Sequence, residues 1–166
     1  MSSQPITIRT IDDADWPSVY PIFRDIVARG ETYAYPDSLT SLEAKSLWVE
    51  GGPFETVVAL IDGTFVGTAK FGPNRPGRGS HVSTASFMVA PEAQGRGVGR
   101  ALCEFVIARA KERGFAGMQF NAVVDTNANA IALYRALGFV TIGTVPRAFD
   151  SASQGRVGLT VMYLEF

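Results

Sequence analysis

Only one cysteine and one histidine occur in this chain of 166 residues. A lone Cys103 cannot form an internal disulfide, which points to a reducing compartment. It lies in a nearly all-apolar stretch and reads as a small buried hydrophobe. One histidine with one cysteine makes no ligand cluster, so no metal is expected. Neither sign of charge is in excess: 15 Lys and Arg face 16 Asp and Glu, for a net charge of −1. That argues against a generic polyanion-binding face, and no nucleic-acid partner is expected. No apolar run approaches the ~18 residues of a spanning helix, so no membrane partner is expected either. The start, Met-Ser-Ser-Gln-Pro, shows no charged segment followed by an apolar one, and a cytoplasmic location follows as an expectation. Against these scarcities stand 46% hydrophobic and 19% charged residues. That balance describes a globular chain, read as one domain over residues 1–166.

Apolar periodicity divides the chain into eleven elements. Residues 5–10 alternate and read as a strand. Asp12, Asp13, Asp15 and Pro17 open a helix that Gly30 ends. Glu31 to Pro36 is a loop with two tyrosines. Thr40 and Glu43 form a capping box for a second helix to about Trp48. Strands Thr56–Ile61 and Phe65–Phe71 flank Asp62-Gly63, a hairpin signal. A glycine- and proline-rich loop, Gly72–Ser80, precedes a strand at His81–Ala90. A helix runs to about Arg113, a strand spans Gly117–Val124, and Thr126 or Asn127 caps a short helix that stops at Gly138. Phe139–Val145 and Gly158–Phe166 read as a closing strand pair around a loop at Pro146–Gly155. The order is β-α-α-β-β-β-α-β-α-β-β. This predicts an α/β fold, a mixed sheet with helices on both faces.

The segment Gln94-Gly95-Arg96-Gly97-Val98-Gly99-Arg100 carries the chemistry. It joins the apolar run Ser86–Ala90 to the start of a long helix. Glycines let a backbone approach an anion closely. Unpaired N–H groups and the positive end of the helix dipole then bind it, and Arg96 and Arg100 add charge. A dinucleotide fingerprint would need G-x-G-x-x-G, and a P-loop Gly-Lys-Ser/Thr. Neither is present. What fits is Q/R-x-x-G-x-G/A, read as Gln94-x-x-Gly97-x-Gly99.

That hexapeptide resembles the pyrophosphate-binding motif of the GCN5-related N-acetyltransferase (GNAT) superfamily. A second stretch, Asn127-Ala128-Asn129-Ala130-Ile131-Ala132-Leu133-Tyr134-Arg135-Ala136-Leu137-Gly138-Phe139, is similar to its N-x-x-A-[IL]-x-L-Y-x-x-L-G-F signature. The resemblance implies the GNAT fold: a mostly antiparallel mixed sheet of about seven strands, opened between Ser83–Ala90 and Met118–Val124. It implies acetyl-CoA as co-substrate. The pantetheine arm would lie along the backbones of Phe87, Met88 and Val89. The pyrophosphate would sit on Gln94, Gly95, Arg96, Gly97, Val98, Gly99 and Arg100. The thioester would point toward Asn121, Asn127 and Tyr134. A bulge in the first of the two strands is expected to splay them.

The implied reaction is attack of an amine on a thioester in a ternary complex. Backbone N–H from the Met88 region, with Asn121, is expected to bind the oxyanion. Tyr134 is the expected general acid, with Asn121 and Asn127 beside it as catalytic residues. Many members carry a carboxylate on the strand holding Phe87, but Val82-Ser83-Thr84-Ala85-Ser86 has none. Water, Glu31 from the first loop, or His81 are the alternatives for the base. Glu31 also reads as a solvated loop charge.

A narrower resemblance is to the branch containing N-acetyltransferases of azetidine-2-carboxylate and other proline-like imino acids. Gly79-Ser80-His81-Val82, Ser86–Val89, Gln119-Phe120-Asn121-x-Val123 and Val161-Met162-Tyr163 carry it. Two asparagines six residues apart map onto Asn121 and Asn127. The branch's strand asparagine is Thr84 here, and Tyr134 stands where its proline-analogue enzymes have Trp. Glu31, Tyr33, Thr84 and Asn121 are the expected acceptor-binding residues, with a small amino or imino acid as acceptor. Two alternatives remain: acetylation of a protein N-terminus or lysine, and a non-catalytic acyl-CoA-binding module. The family implies a homodimer.

Overall fold

The structure, a computed structural model, describes residues 4–166. Seven strands form one sheet: β1 (Thr7–Thr10), β2 (Glu55–Ile61), β3 (Thr64–Pro73), β4 (Val82–Val89), β5 (Gly117–Val124), β6 (Val140–Ser151) and β7 (Gly155–Glu165). Their spatial order is β1-β2-β3-β4-β5-β7-β6. Only β4 and β5 are parallel; every other pairing is antiparallel. Four helices complete it: α1 (Trp16–Arg29), α2 (Ser41–Trp48), α3 (Val98–Glu112) and α4 (Ala128–Ala136). The element order matches the sequence reading. No described helix is long and apolar enough to cross a membrane.

Local chemistry sets the boundaries. Thr40 accepts from Glu43 N–H at 3.3 Å, while the Glu43 carboxylate accepts from Thr40 N–H at 2.8 Å. This is the expected capping box. Asp62 and Gly63 close the β2–β3 hairpin with φ of 48° and 77°, the two positive values of a type I′ turn.

Adjacent positions on β3 assign the two faces. Thr68 accepts from the Trp48 indole of α2 at 3.0 Å. Its neighbour Gly67 points to the opposite face, where a Cβ would lie 3.0 Å from Leu102 and from Val98. Only glycine lets α3 settle that closely on the sheet. α1 and α2 therefore cover one face, and α3 and α4 the other. Trp48 and Phe23 are buried between α1, α2 and the sheet; Phe71 is buried on the opposite face, with the Arg113 guanidinium at the end of α3 5.3 Å over its ring, and Leu102, Val106 and Met118 join them in one continuous core. Truncating Phe23 or Trp48 to Ala would cost about 3–5 kcal/mol.

Two expectations are corrected. The Pro146–Gly155 loop is instead extended strand through Ser151, leaving a tight turn at residues 152–154. Pro146 and Arg147 hid this strand. They sit in a register shift between Val145 and Phe149, with Arg147 at φ 57°, so the alternation breaks there. The bulge expected in β4 is also absent. β4 pairs with β3 without a shift from Ser83 to Val89. The irregularity lies in β5 against β7, between Phe120 and Val123.

Candidate active site

β4 and β5 pair only at Val82↔Gly117 and Ser83↔Met118. Beyond these residues the strands part, and a cavity of about 910 Å³ opens between them. The ladder register says which backbone groups face that gap. Ala90 N–H donates to Val66 O, and Asn74 N–H donates to Val82 O, both at 2.8 Å. Even-numbered residues of β4 thus bond to β3. By the alternation of an antiparallel pair, Ala85, Phe87 and Val89 turn their N–H and C=O into the gap. Met88 was expected to present its backbone there. It does not: its backbone faces β3, opposite Thr68, and its side chain is buried.

The gap leads to the start of α3. Gly97 is the N-cap at φ 83°, with no side chain capping the helix. A Cβ at Gly95 or Gly97 would meet nothing within 4 Å. The first intrahelical bond there runs from Ala101 N–H to Gly97 O, so the N–H groups of Val98, Gly99 and Arg100 have no helical partner. An uncapped helix start with open space in front fits a pyrophosphate. Gln94 and Arg100 also line the cavity. Arg96 does not: its guanidinium donates to Gln4 at 2.5 Å.

Aromatic rings form one wall. Tyr134 of α4 packs against Phe120 at 4.5 Å and against Phe87 at 6.3 Å between centroids. Phe120 stacks in turn on Phe139 at 4.4 Å. Burial raises the Tyr134 phenol well above its ordinary value, aided by nearby Cys103 and Tyr33. It is a neutral O–H donor throughout the physiological range. Burial also pushes the Cys103 thiol up to about 12, which leaves it an inert apolar neighbour.

The other expected residues line the same cavity in different ways. Asn127 caps α4, its side-chain oxygen accepting from Ala130 N–H at 3.3 Å. Asn121 lies inside β5, as expected, but is not buried there. It is exposed at the β5 irregularity, donating to Asn74 at 2.7 Å and accepting from Gln119 at 3.0 Å. Thr84 sits opposite Gly72, near the Asn74 end. Glu31 accepts from the Ser151 hydroxyl at 2.6 Å and from Ser153 N–H at 3.0 Å. Both of its oxygens are engaged, which disfavours it as the base. His81 does not line the cavity. Tyr33 reaches Phe87, accepting from its N–H at 2.9 Å and donating to its C=O at 2.5 Å.

One charged wall residue that escaped the sequence reading is Lys70. Lys70 donates to Leu47 O at 2.6 Å and Glu50 at 2.9 Å, with the Trp48 and Phe54 rings about 6 Å away. In sequence it is one polar position in an alternating strand, the pattern of a solvent-facing side chain. Only the packing of α2 gives it a role. Among the described residues no cluster able to hold a metal occurs.

A model of the acetyltransferase (GNAT) family matches residues 16–139. The chain belongs to that family. Its fold superposes on a GCN5-related N-acetyltransferase from Kribbella flavida with a TM-score of 0.93 and 52% identity, covering 97% of this chain and 98% of that one. Phosphinothricin N-acetyltransferase of Alcaligenes faecalis is 30% identical over 143 residues, 84% of this chain and 72% of that protein. N-acetyltransferase aca1 of Schizosaccharomyces pombe is 37% identical over 76 residues, 46% of this chain. The match spans only 36% of the length of aca1.

Proposed function

We propose that this GNAT protein transfers an acetyl group from acetyl-CoA to the amine of a small molecule, an amino or imino acid. The observation that carries the reading is the strand gap between β4 and β5, which runs into the uncapped start of α3 beside the Tyr134 phenol. When bound, acetyl-CoA supplies the activated acetyl group. Val89 and Phe87 offer an extended arm the edge of a ladder. The N–H groups at Val98–Arg100 and the Arg100 guanidinium hold phosphate. Tyr134 O–H keeps its proton and gives it to the leaving sulfur. Asn121 and Asn127 orient the acceptor. No carboxylate projects from β4, so the acceptor amine loses its proton to cavity water.

A small acceptor is favoured by how the cavity is closed. The β6–β7 turn is tied to the α1–α2 loop by Ser151 and Ser153 on Glu31 and by Ala152 N–H donating to Gly30 O at 2.9 Å. A protein substrate would need that side open. The phosphinothricin N-acetyltransferase relative supports a small-molecule acceptor.

A cytoplasmic location and a homodimer belong to the same proposal. β6 is an edge strand whose Val140, Ile142 and Val145 are exposed, an apolar edge suited to a second copy. Light scattering should give a dimer mass at micromolar concentration, and monomer alone would remove that part. Calorimetry tests the reading itself. One saturable site for CoA and acetyl-CoA is expected, and binding of neither would overturn it.

A further inference from the structure

The hydroxyl of Tyr33 lies in the gap between β4 and β5. It satisfies both backbone groups that Phe87 turns toward the opening, the N–H at 2.9 Å and the C=O at 2.5 Å. A phenol that donates and accepts at one residue does what a paired strand would do there. The ring has a built seat: it stacks on Tyr35 at 5.9 Å and 14°, and meets Trp48 edge-on at 6.3 Å. Burial raises its pKa, so it keeps the proton that the Phe87 carbonyl needs.

We propose that Tyr33 is a displaceable plug, standing in for the amide and carbonyl groups of the acyl carrier's arm and leaving Phe87 when that carrier enters. This rests on the acetyl-CoA reading above. The exclusion is stereochemical. One N–H and one C=O cannot serve both the phenol and an extended ligand, so the two occupancies compete. Free protein thus leaves neither gap-facing backbone group of Phe87 unpaired. The ligand's gain at Phe87 is reduced by what Tyr33 gives up. Tyr33 sits in the Thr32–Tyr35 segment that lines the cavity, so its exit reshapes the space left for the acceptor. Cofactor binding would then precede acceptor binding.

Calorimetry on wild type and Tyr33→Phe, with two probes, tests this. CoA carries the arm, whereas adenosine 3′,5′-bisphosphate lacks it and reaches only the phosphate site. The variant keeps the ring but loses both hydrogen bonds. It should bind CoA about 5- to 100-fold more tightly and the bisphosphate with unchanged affinity. Equal or weaker CoA binding, with the bisphosphate still bound, overturns the plug and leaves the acetyl-CoA reading standing. If wild type binds neither probe, both fall. A second measurement needs no variant fold: ring-labelled tyrosine NMR of wild type. The Tyr33 resonance should move with CoA and not with the bisphosphate. A resonance indifferent to CoA overturns the proposal.

Discussion

The Glu31 carboxylate and the Ser151 hydroxyl meet at 2.6 Å although 120 residues separate them. This contact fastens the end of the α1 segment to the last hairpin and closes one side of the cavity. Hydrogen bonds from Ser151, then from Ser153, hold the Glu31 carboxyl below its ordinary value, with burial opposing them. A folded pKa lower than the unfolded one contributes stability above the unfolded value, about 4.3. That contribution disappears as pH falls through the folded value. Glu31→Gln should therefore melt lower than wild type at pH 7, and the two should converge below about pH 4. Melting curves across pH check this. A constant gap down to pH 3 would show that the charge is not what matters.

At the phosphate site, Gly97→Glu should abolish acetyl-CoA binding. It places a negative charge where the orphan N–H groups point and forces a side chain onto φ 83°. The Gly97→Ala control carries the backbone strain alone, about 1 kcal/mol. Equilibrium dialysis reads both. Unchanged affinity in the Glu variant would remove the pyrophosphate from the start of α3.

Tyr134→Phe preserves the ring contacts with Phe120 and Phe87 and removes the donor. Turnover should fall about 10²- to 10⁴-fold, with KM changed far less. Steady-state kinetics separates the two. Wild-type turnover would take Tyr134 out of the proton transfer.

Thr68 is buried, accepts from the Trp48 indole at 3.0 Å and donates to Val57 O at 2.8 Å. Thr68→Val keeps the shape and strands the indole N–H, at a cost of about 1–3 kcal/mol. Urea denaturation measures it. An unchanged midpoint would mean that the indole finds another acceptor.

Local signals were legible: the Thr40–Glu43 box, the Asp62-Gly63 turn, the glycine-started α3 and the Asn127 cap each announce themselves within a few residues. Non-local geometry was not. Which β4 residues face the gap depends on a register fixed by Val66 and Asn74, and this turned the ladder from Met88 to Phe87. The bulge moved to β5 because pairing with β7 sets it. Arg96 reads as phosphate-binding by proximity, yet Gln4, 92 residues away, takes its guanidinium. Tyr33 and Lys70 gain their roles from the packing of α2 and its preceding loop on the sheet, which no short sequence window contains.

Release of free thiol from acetyl-CoA by the wild-type protein tests the central claim most directly. The amine panel would hold amino acids, proline analogues, polyamines, aminoglycosides and short peptides. Release is expected with one small amino or imino acid, and its loss in Gly97→Glu. Silence across the panel in a sample shown to bind acetyl-CoA would contradict it.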